Sequence, residues 1–149
     1  MITSIVIDDD PDTVAVFCDY LEMNQIMVIG KGFNGKDAVE LYQKLKPDIV
    51  FADVMMPEYD GFYALEKIRQ IDPDTKIIMV TADLRAETEH RLKALKATGI
   101  VFKPFDIRKI MEIIYTIAPM EIQTSSRKQS EAYLNERWFT ITNSFWFRS

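Results

Sequence analysis

One short segment limits the folds open to this chain more than any other feature. Residues 49–52 are an unbroken apolar run that ends on the carboxylate of Asp53, and Pro57 and the Asp60-Gly61 pair mark the turn behind it. Because the run does not alternate with polar residues, it predicts a strand covered on both faces, as in a parallel α/β sheet. Ligands of open α/β sheets bind outside the carboxyl ends of the strands, so Asp53 is a candidate for a chemical role.

The rest of the chain alternates similar apolar runs with segments that carry apolar residues at helical spacing. Predicted strands lie at Ile5–Ile7, Ile26–Ile29, Ile49–Asp53, Ile77–Val80 and Ile100–Phe102. Helices are predicted to include the apolar residues within Val14–Leu21, Ala38–Leu45, Phe62–Ile68 and Ile107–Ile117, and a further helix is predicted from about Leu84 to Ala97. A loop is predicted at Gly30–Gly35, and Gly99 is predicted to end the fourth helix. This alternation predicts an α/β fold, a doubly wound parallel sheet with helices on both faces. Asp10 is predicted to cap the first helix, which Pro11 opens.

Four of the predicted strands end on residues with useful chemistry. These are the Asp8-Asp9 pair, Asp53, Thr81 and Lys103. Taken singly, each would be an ordinary loop, strand or surface residue. In a parallel sheet, however, the carboxyl ends of the strands share one edge, so these residues can converge. Carboxylates gathered there repel one another unless a cation joins them, and hard oxygen ligands with room for water suit Mg²⁺.

This set of residues is suited to phosphoryl transfer. A carboxylate can attack phosphorus and form an acyl phosphate, and the transfer needs positioning and neutralisation of charge. Mg²⁺ and the Lys103 ammonium could supply the positive charge, and the Thr81 hydroxyl could bind a phosphoryl oxygen. We therefore predict that Asp53 accepts a phosphoryl group.

The same residues carry a family resemblance. From Ile5 to about Ile117 the chain resembles the receiver domain of two-component response regulators, in particular the stand-alone receivers of the chemotaxis type. The matching motifs, in order, are Asp8-Asp9, Asp53-Val-Met-Met-Pro57 with Asp60-Gly61, Thr81-Ala82 and Lys103-Pro104-Phe105. The resemblance implies a flavodoxin-like sheet with the strand order 2-1-3-4-5.

The resemblance also implies partners, a cofactor and roles for named residues. It implies that a histidine kinase, a phosphotransfer protein or a small phosphodonor phosphorylates Asp53, and that the receiver itself catalyses this step and its reversal. It implies Mg²⁺ held by Asp9, Asp53 and the Met55 carbonyl, with Asp8 acting through water. It implies a Lys103–Pro104 peptide bond that is often cis. The phosphorylated state is expected to change affinity for an unknown downstream protein, through the face around the last two helices.

Three further positions are expected to tune the signal. In this family, Met55 and Asp83 lie where side chains set the lifetime of the phosphoryl group, Met55 by obstructing a water and Asp83 by orienting one. Which effect prevails stays open. Ile100 occupies a position that is often Tyr or Phe, so this chain lacks the ring and hydroxyl that usually change burial there. Movement of Thr81 toward the phosphoryl group could still bias the following loop and helix.

Three other functions compete with this interpretation. A receiver fold could be an interaction module that binds through its C-terminal tail whatever the state of Asp53. A phosphohydrolase usually has a second acid two residues after the nucleophile, where this chain has Met55. Residues 30–35 match the dinucleotide fingerprint G-x-G-x-x-G, but they follow the second strand instead of the first and leave the other strand ends without roles.

Composition and the C-terminal residues 119–149 give predictions about partners, localisation and domain organisation. The net charge of −5 disfavours nucleic acid as the main partner. A single cysteine, the absence of a signal peptide and of any apolar run near ~20 residues indicate a cytoplasmic protein without membrane insertion. We predict a receiver domain at 1–118 and an extension at 119–149 that contains both tryptophans, Trp138 and Trp146. The extension could fold back on the receiver, form a homodimer contact or bind a partner.

Overall fold

The apolar runs of the sequence form five parallel strands, and the amphipathic segments form the helices that connect them. The strands are β1 (Ile2–Ile7), β2 (Ile26–Gly32), β3 (Ile49–Asp53), β4 (Lys76–Thr81) and β5 (Gly99–Phe102). The helices are α1 (Pro11–Met23), α2 (Gly35–Leu45), α3 (Gly61–Ile71), α4 (Ala86–Ala94) and α5 (Ile107–Ile117). This is a computed structural model, and it describes residues 1–104 and 106–117.

The sheet has the order β2-β1-β3-β4-β5, which confirms the predicted flavodoxin-like topology. Its two faces are covered by separate apolar clusters. One cluster joins α1 and α5 to the sheet, and the other joins α2, α3 and α4. Strand β3 lies at the centre and all five of its residues are buried. The edge where it ends is therefore held by packing on both sides.

The predicted cap of the first helix is confirmed. The carboxylate of Asp10 accepts a hydrogen bond from the backbone N–H of Asp12, and Pro11 is the first residue of α1. Asn34 and Asp60 cap α2 and α3 in the same way. Each cap satisfies a backbone N–H that a helix leaves unpaired in its first turn.

Several predicted boundaries differ from the structure: β1, for example, begins at Ile2 and not at Ile5. Two of the differences are large. Strand β2 continues to Gly32 because it pairs with β1 along its whole length, so the first two glycines of the dinucleotide-like motif are strand residues. They are small because α2 packs against them: a Cβ at Gly30 would lie 2.9 Å from a Leu45 methyl. Helix α4 is shorter than the predicted Leu84–Ala97. It ends at Ala94, Lys96 takes a left-handed φ of 64°, and Gly99 opens β5.

The turn between β3 and α3 depends on Gly61. Its N–H donates to the Val54 carbonyl at 2.8 Å. A Cβ at this position would collide with the carbonyl of Asp53 and with the Cα of Val54. All of these are backbone atoms of the segment that carries Asp53, and backbone does not move aside as a flexible side chain can. Gly61 is therefore required for the close approach of α3 to the end of β3.

Three remaining expectations concern the ends of the chain and the membrane. Among the described residues, no helix is long and apolar enough to cross a bilayer. Phe105 of the predicted motif lies outside the described residues. So does the extension at 119–149, together with its predicted boundary at 118.

We predict that Gly61→Ala lowers the free energy of unfolding by more than about 2 kcal/mol, because backbone must shift to admit the methyl group. Urea unfolding followed by circular dichroism measures this change. Gly99→Ala is the matched control. Its Cβ would meet only side-chain atoms of Ile113, the nearest at 3.0 Å, and should change stability by less than about 1 kcal/mol. Equal effects of the two substitutions would contradict the assignment.

Candidate functional site

Three carboxylates meet at the carboxyl edge of the sheet, as the sequence predicts. Asp8 follows β1 and Asp53 ends β3, and both are buried, whereas Asp9 is exposed. Each offers one oxygen, and these oxygens all lie within 4.8 Å of one another. An all-oxygen donor set with one solvent-facing member matches what Mg²⁺ requires, since this ion keeps several of its waters. The residues present therefore fit the predicted metal.

Lys103 brings a positive charge into this cluster from the far end of β5. Its Nζ lies 2.6 Å from Asp8 Oδ2 and 3.5 Å from Asp53 Oδ1. Its backbone N–H donates to the Thr81 carbonyl at 2.8 Å, so the loop after β5 is fixed to the end of β4. The Lys103–Pro104 peptide bond is cis, as the resemblance implies.

The charges in the cluster shift one another's protonation. Burial, and then the neighbouring charge of Asp8, raise the pKa of Asp53 from 3.8 to about 6, although Lys103 opposes this. Burial disfavours the charged form of Lys103, but the hydrogen bond from its ammonium to Asp8 and the charge of Asp53 outweigh burial and raise the pKa of the lysine. Asp53 is thus an ionised nucleophile at neutral pH, held in an environment that favours whatever reduces its charge.

Asp8 uses both carboxylate oxygens to organise the site. One accepts from Lys103, and the other accepts from the backbone N–H of Asp10 at 3.0 Å. The backbone N–H of Asp8 itself donates to the Gly32 carbonyl. Asp8 therefore joins the loop after β1 to the cation that faces Asp53, in addition to any contact with a metal.

Thr81 ends β4 and is completely buried. Its hydroxyl oxygen accepts a hydrogen bond from the backbone N–H of Asp83 at 3.0 Å. The hydroxyl predicted to bind a phosphoryl oxygen is thereby engaged with the loop that leads to α4. Any rotation of the Thr81 side chain would act on this loop first.

Asp83 has partners that its sequence position did not indicate. Its carboxylate accepts from the guanidinium and backbone N–H of Arg85 and from the Thr88 hydroxyl at 2.6 Å. Hydrogen bonds from Arg85 and Thr88 hold the pKa of Asp83 well below its usual range. The residue before α4, Arg85, makes no capping bond of its own. Asp83 thus anchors the first turn of α4, and the spacing Asp-x-Arg-x-x-Thr was the signal that could have revealed it.

The other predicted site residues occupy distinct surroundings. The Met55 side chain, two residues after Asp53, is 60% exposed, and Leu84 beyond Asp83 is 74% exposed. Ile100 is half-buried against the cluster that contains α2, α3 and α4. The roles assigned to Met55, Asp83, Ile100 and Pro104 remain predictions.

Comparison with known proteins shows which proteins this chain resembles. Residues 5–115 match the family model described as "Response regulator receiver domain". A chemotaxis protein CheY of Thermotoga maritima is 33% identical over 116 residues, which are 76% of this chain and 95% of that protein. A structure titled as the CheX-CheY-BeF3-Mg+2 complex from Borrelia burgdorferi superposes with a TM-score of 0.74 at 24% identity, over 78% of this chain and 88% of that one.

A longer relative extends the similarity. The regulatory protein AtoC of Escherichia coli is 30% identical over 148 residues. The match covers 96% of this chain, and so most of residues 118–149, but only 32% of AtoC.

We predict that Asp53→Asn stabilises the protein at neutral pH when divalent cations are absent. The folded-state pKa of about 6 lies above the ordinary 3.8, so the folded state binds this proton more tightly than the unfolded state. The wild type therefore loses stability as pH rises from roughly 4 to 6, and the asparagine variant does not lose this part. The expected gain at pH 7.5 is about 1–2 kcal/mol, after allowance for screening.

Urea unfolding in EDTA across this pH range measures the difference. Asp19→Asn, on the exposed face of α1, is the control and should show no pH-dependent gain. A wild type at least as stable as Asp53→Asn at pH 7.5 would contradict the prediction that the ionised Asp53 carboxylate destabilises the folded state.

We also predict that Asp83→Ala loosens the first turn of α4. The variant frees Arg85 and Thr88, so backbone amides of residues 86–89 should exchange with deuterium about threefold to tenfold faster. The control is Glu89→Ala, which removes the exposed ion pair with Lys93 at 2.9 Å on the same helix. Unchanged exchange in Asp83→Ala would show that the contacts do not anchor the helix.

Proposed function

The chain belongs to the family of response regulator receiver domains, and we propose on this premise that it is a phosphoryl-accepting signalling switch. A histidine kinase, a phosphotransfer protein or a small phosphodonor would supply the phosphoryl group, and Asp53 would receive it. The single observation that most supports this is the buried Asp53 carboxylate at the strand end, 3.5 Å from the Lys103 ammonium and clustered with Asp8 and Asp9.

The proposed reaction is a displacement at phosphorus. A carboxylate oxygen of Asp53 forms a bond to phosphorus as the bond from phosphorus to the donor breaks, and the donor leaves with the electron pair. Lys103 is placed to meet negative charge on the phosphoryl oxygens. Asp53 reacts as the anion, which its pKa of about 6 allows at neutral pH. Hydrolysis by water returns the free carboxylate and inorganic phosphate, and we propose that the same residues assist it.

Magnesium is the proposed cofactor. We assign Asp8, Asp9, Asp53 and the Met55 carbonyl to its site, with Asp8 through water. The Borrelia burgdorferi relative was solved as a complex that contains Mg²⁺ and BeF3, and the carboxylate cluster of this chain has the matching donor chemistry. When bound, the ion would supply positive charge beside the phosphoryl oxygens.

The proposed signal passes through Thr81 to α4. The Thr81 hydroxyl accepts from the Asp83 N–H, and Asp83 binds Arg85 and Thr88. If Thr81 turns to donate to a phosphoryl oxygen, the contact with Asp83 must be remade and the start of α4 is disturbed. A downstream protein that binds around α4 and α5 would then distinguish the two states. Half-buried Ile100 can repack in this change but has no hydroxyl to exchange.

We expect the intact mass to rise by one phosphoryl group when the protein is incubated with acetyl phosphate and Mg²⁺. The gain should fall by at least about tenfold in EDTA, because the carboxylate cluster then has no divalent cation to neutralise the transferred charge. Asp53→Asn should show no gain.

Asp19→Asn is the matched control, since it removes an exposed carboxylate from α1 and should be phosphorylated normally. A folded wild type that binds Mg²⁺ but gains no mass would contradict the proposal that the protein catalyses its own phosphorylation. A gain that persists in Asp53→Asn would place the phosphoryl group elsewhere.

A further inference from the structure

The edge of the sheet opposite Asp53 contains a cavity that the receiver chemistry does not use. It has a volume of about 380 Å³ and lies where the strands begin and the helices end. Cavities of this size accommodate a ligand or several side chains. Its lining combines apolar residues with acidic ones: Ile2, Tyr42, Pro47, Asp48, Ile49, Asp72, Asp74, Thr75, Lys76 and Ile117.

The polar wall of the cavity is held by hydrogen bonds and is rich in carboxylates. Tyr42 donates to Asp72 at 2.9 Å and accepts from Thr75 at 2.6 Å. Asp48 accepts from both the backbone N–H and the hydroxyl of Thr3. The lining thus has three carboxylates and one ammonium, that of Lys76. The guanidinium of Arg69, outside the lining, also interacts with the charges of Asp72 and Asp74. Asp74 is exposed, and its backbone N–H donates to Asp72.

The C-terminal segment, residues 118–149, starts at the rim of this cavity. Ile117 is the last residue of α5 and forms part of the lining. The segment has four basic residues against three acidic ones, whereas the rest of the chain is strongly acidic. It is also rich in large apolar side chains, which are rarely left in water as a contiguous group. Because the segment is tethered at the rim, its local concentration at the cavity is in the millimolar range or above.

We propose that this cavity is an intramolecular docking site for the chain's own residues 118–149. Basic side chains of the segment meet the carboxylates of Asp72 and Asp74, and its apolar side chains cover the wall of Ile2, Pro47 and Ile49. The site is at the end of the sheet opposite Asp53, so docking leaves the phosphorylation site accessible. The proposal does not depend on the chemistry of Asp53.

Tryptophan fluorescence of the full chain tests the proposal, because Trp138 and Trp146 both lie in this segment. Acrylamide is the quencher, since it is neutral and insensitive to changes of surface charge. In the wild type, the quenching slope should be well below that of the same protein in urea and independent of protein concentration. Asp74→Arg should raise this slope at least about twofold, because it sets a positive charge against a basic segment.

Two matched variants locate the effect. Lys76→Glu adds a negative charge to the same wall and should keep or strengthen the protection. Asp19→Arg makes the same charge change as Asp74→Arg on α1, outside the cavity lining, and should leave the slope unchanged. Circular dichroism confirms that each variant is folded.

Three outcomes would overturn the proposal. Quenching as strong in the native protein as in urea would mean that the segment does not dock. Protection that Asp74→Arg leaves intact would place the segment elsewhere. Protection that is lost on dilution would assign the cavity to the segment of a second copy.

Discussion

The interaction between Lys103 and the two buried carboxylates makes the acidic edge of this sheet possible. Asp8 and Asp53 are both buried at neighbouring strand ends, and two such charges repel strongly in a medium of low polarity. The ammonium 2.6 Å from Asp8 and 3.5 Å from Asp53 offsets part of this repulsion. Burial, and then the repulsion by Asp8 that remains, raise the pKa of Asp53. Such a site favours the arrival of a divalent cation, so the residual repulsion is a source of metal affinity.

The same edge has a set of hydrogen bonds through which the proposed phosphorylation of Asp53 would act on α4. Thr81, Asp83 and the first turn of α4 form a continuous chain of hydrogen bonds. The helix at its end is only nine residues long, has exposed charges and no side-chain cap of its own. A short helix anchored through one carboxylate is easier to displace than helices such as α3, whose N-terminus is capped and whose turn is fixed by Gly61. The response is therefore expected to be concentrated at α4.

The two edges of the sheet have acidic residues in different roles. At the carboxyl edge, the carboxylates converge within 4.8 Å and share one lysine. At the amino edge, Asp48 and Asp72 are engaged by Thr3, Tyr42 and the backbone N–H of Asp74 around an open cavity. Convergent carboxylates suit a small hard cation, whereas dispersed ones beside apolar walls suit a polypeptide with basic side chains. One fold thus separates a chemical site from a candidate docking site.

The sequence alone determined the fold and the members of the carboxyl-edge site. Unbroken apolar runs, helical spacing and strand ends on Asp8, Asp53, Thr81 and Lys103 predicted both, because parallel strands must place their carboxyl ends together. Only the tertiary structure decided the extent of β2, the early end of α4, the partners of Asp83 and the cavity that Ile117 helps to line. Each of these depends on packing or hydrogen bonds between residues that are distant in sequence, so no local pattern predicts them. Pairing with β1 extends β2, and the cavity forms where the ends of helices meet the starts of strands. Local pattern fixes which elements form, and the space between them is fixed only when they pack.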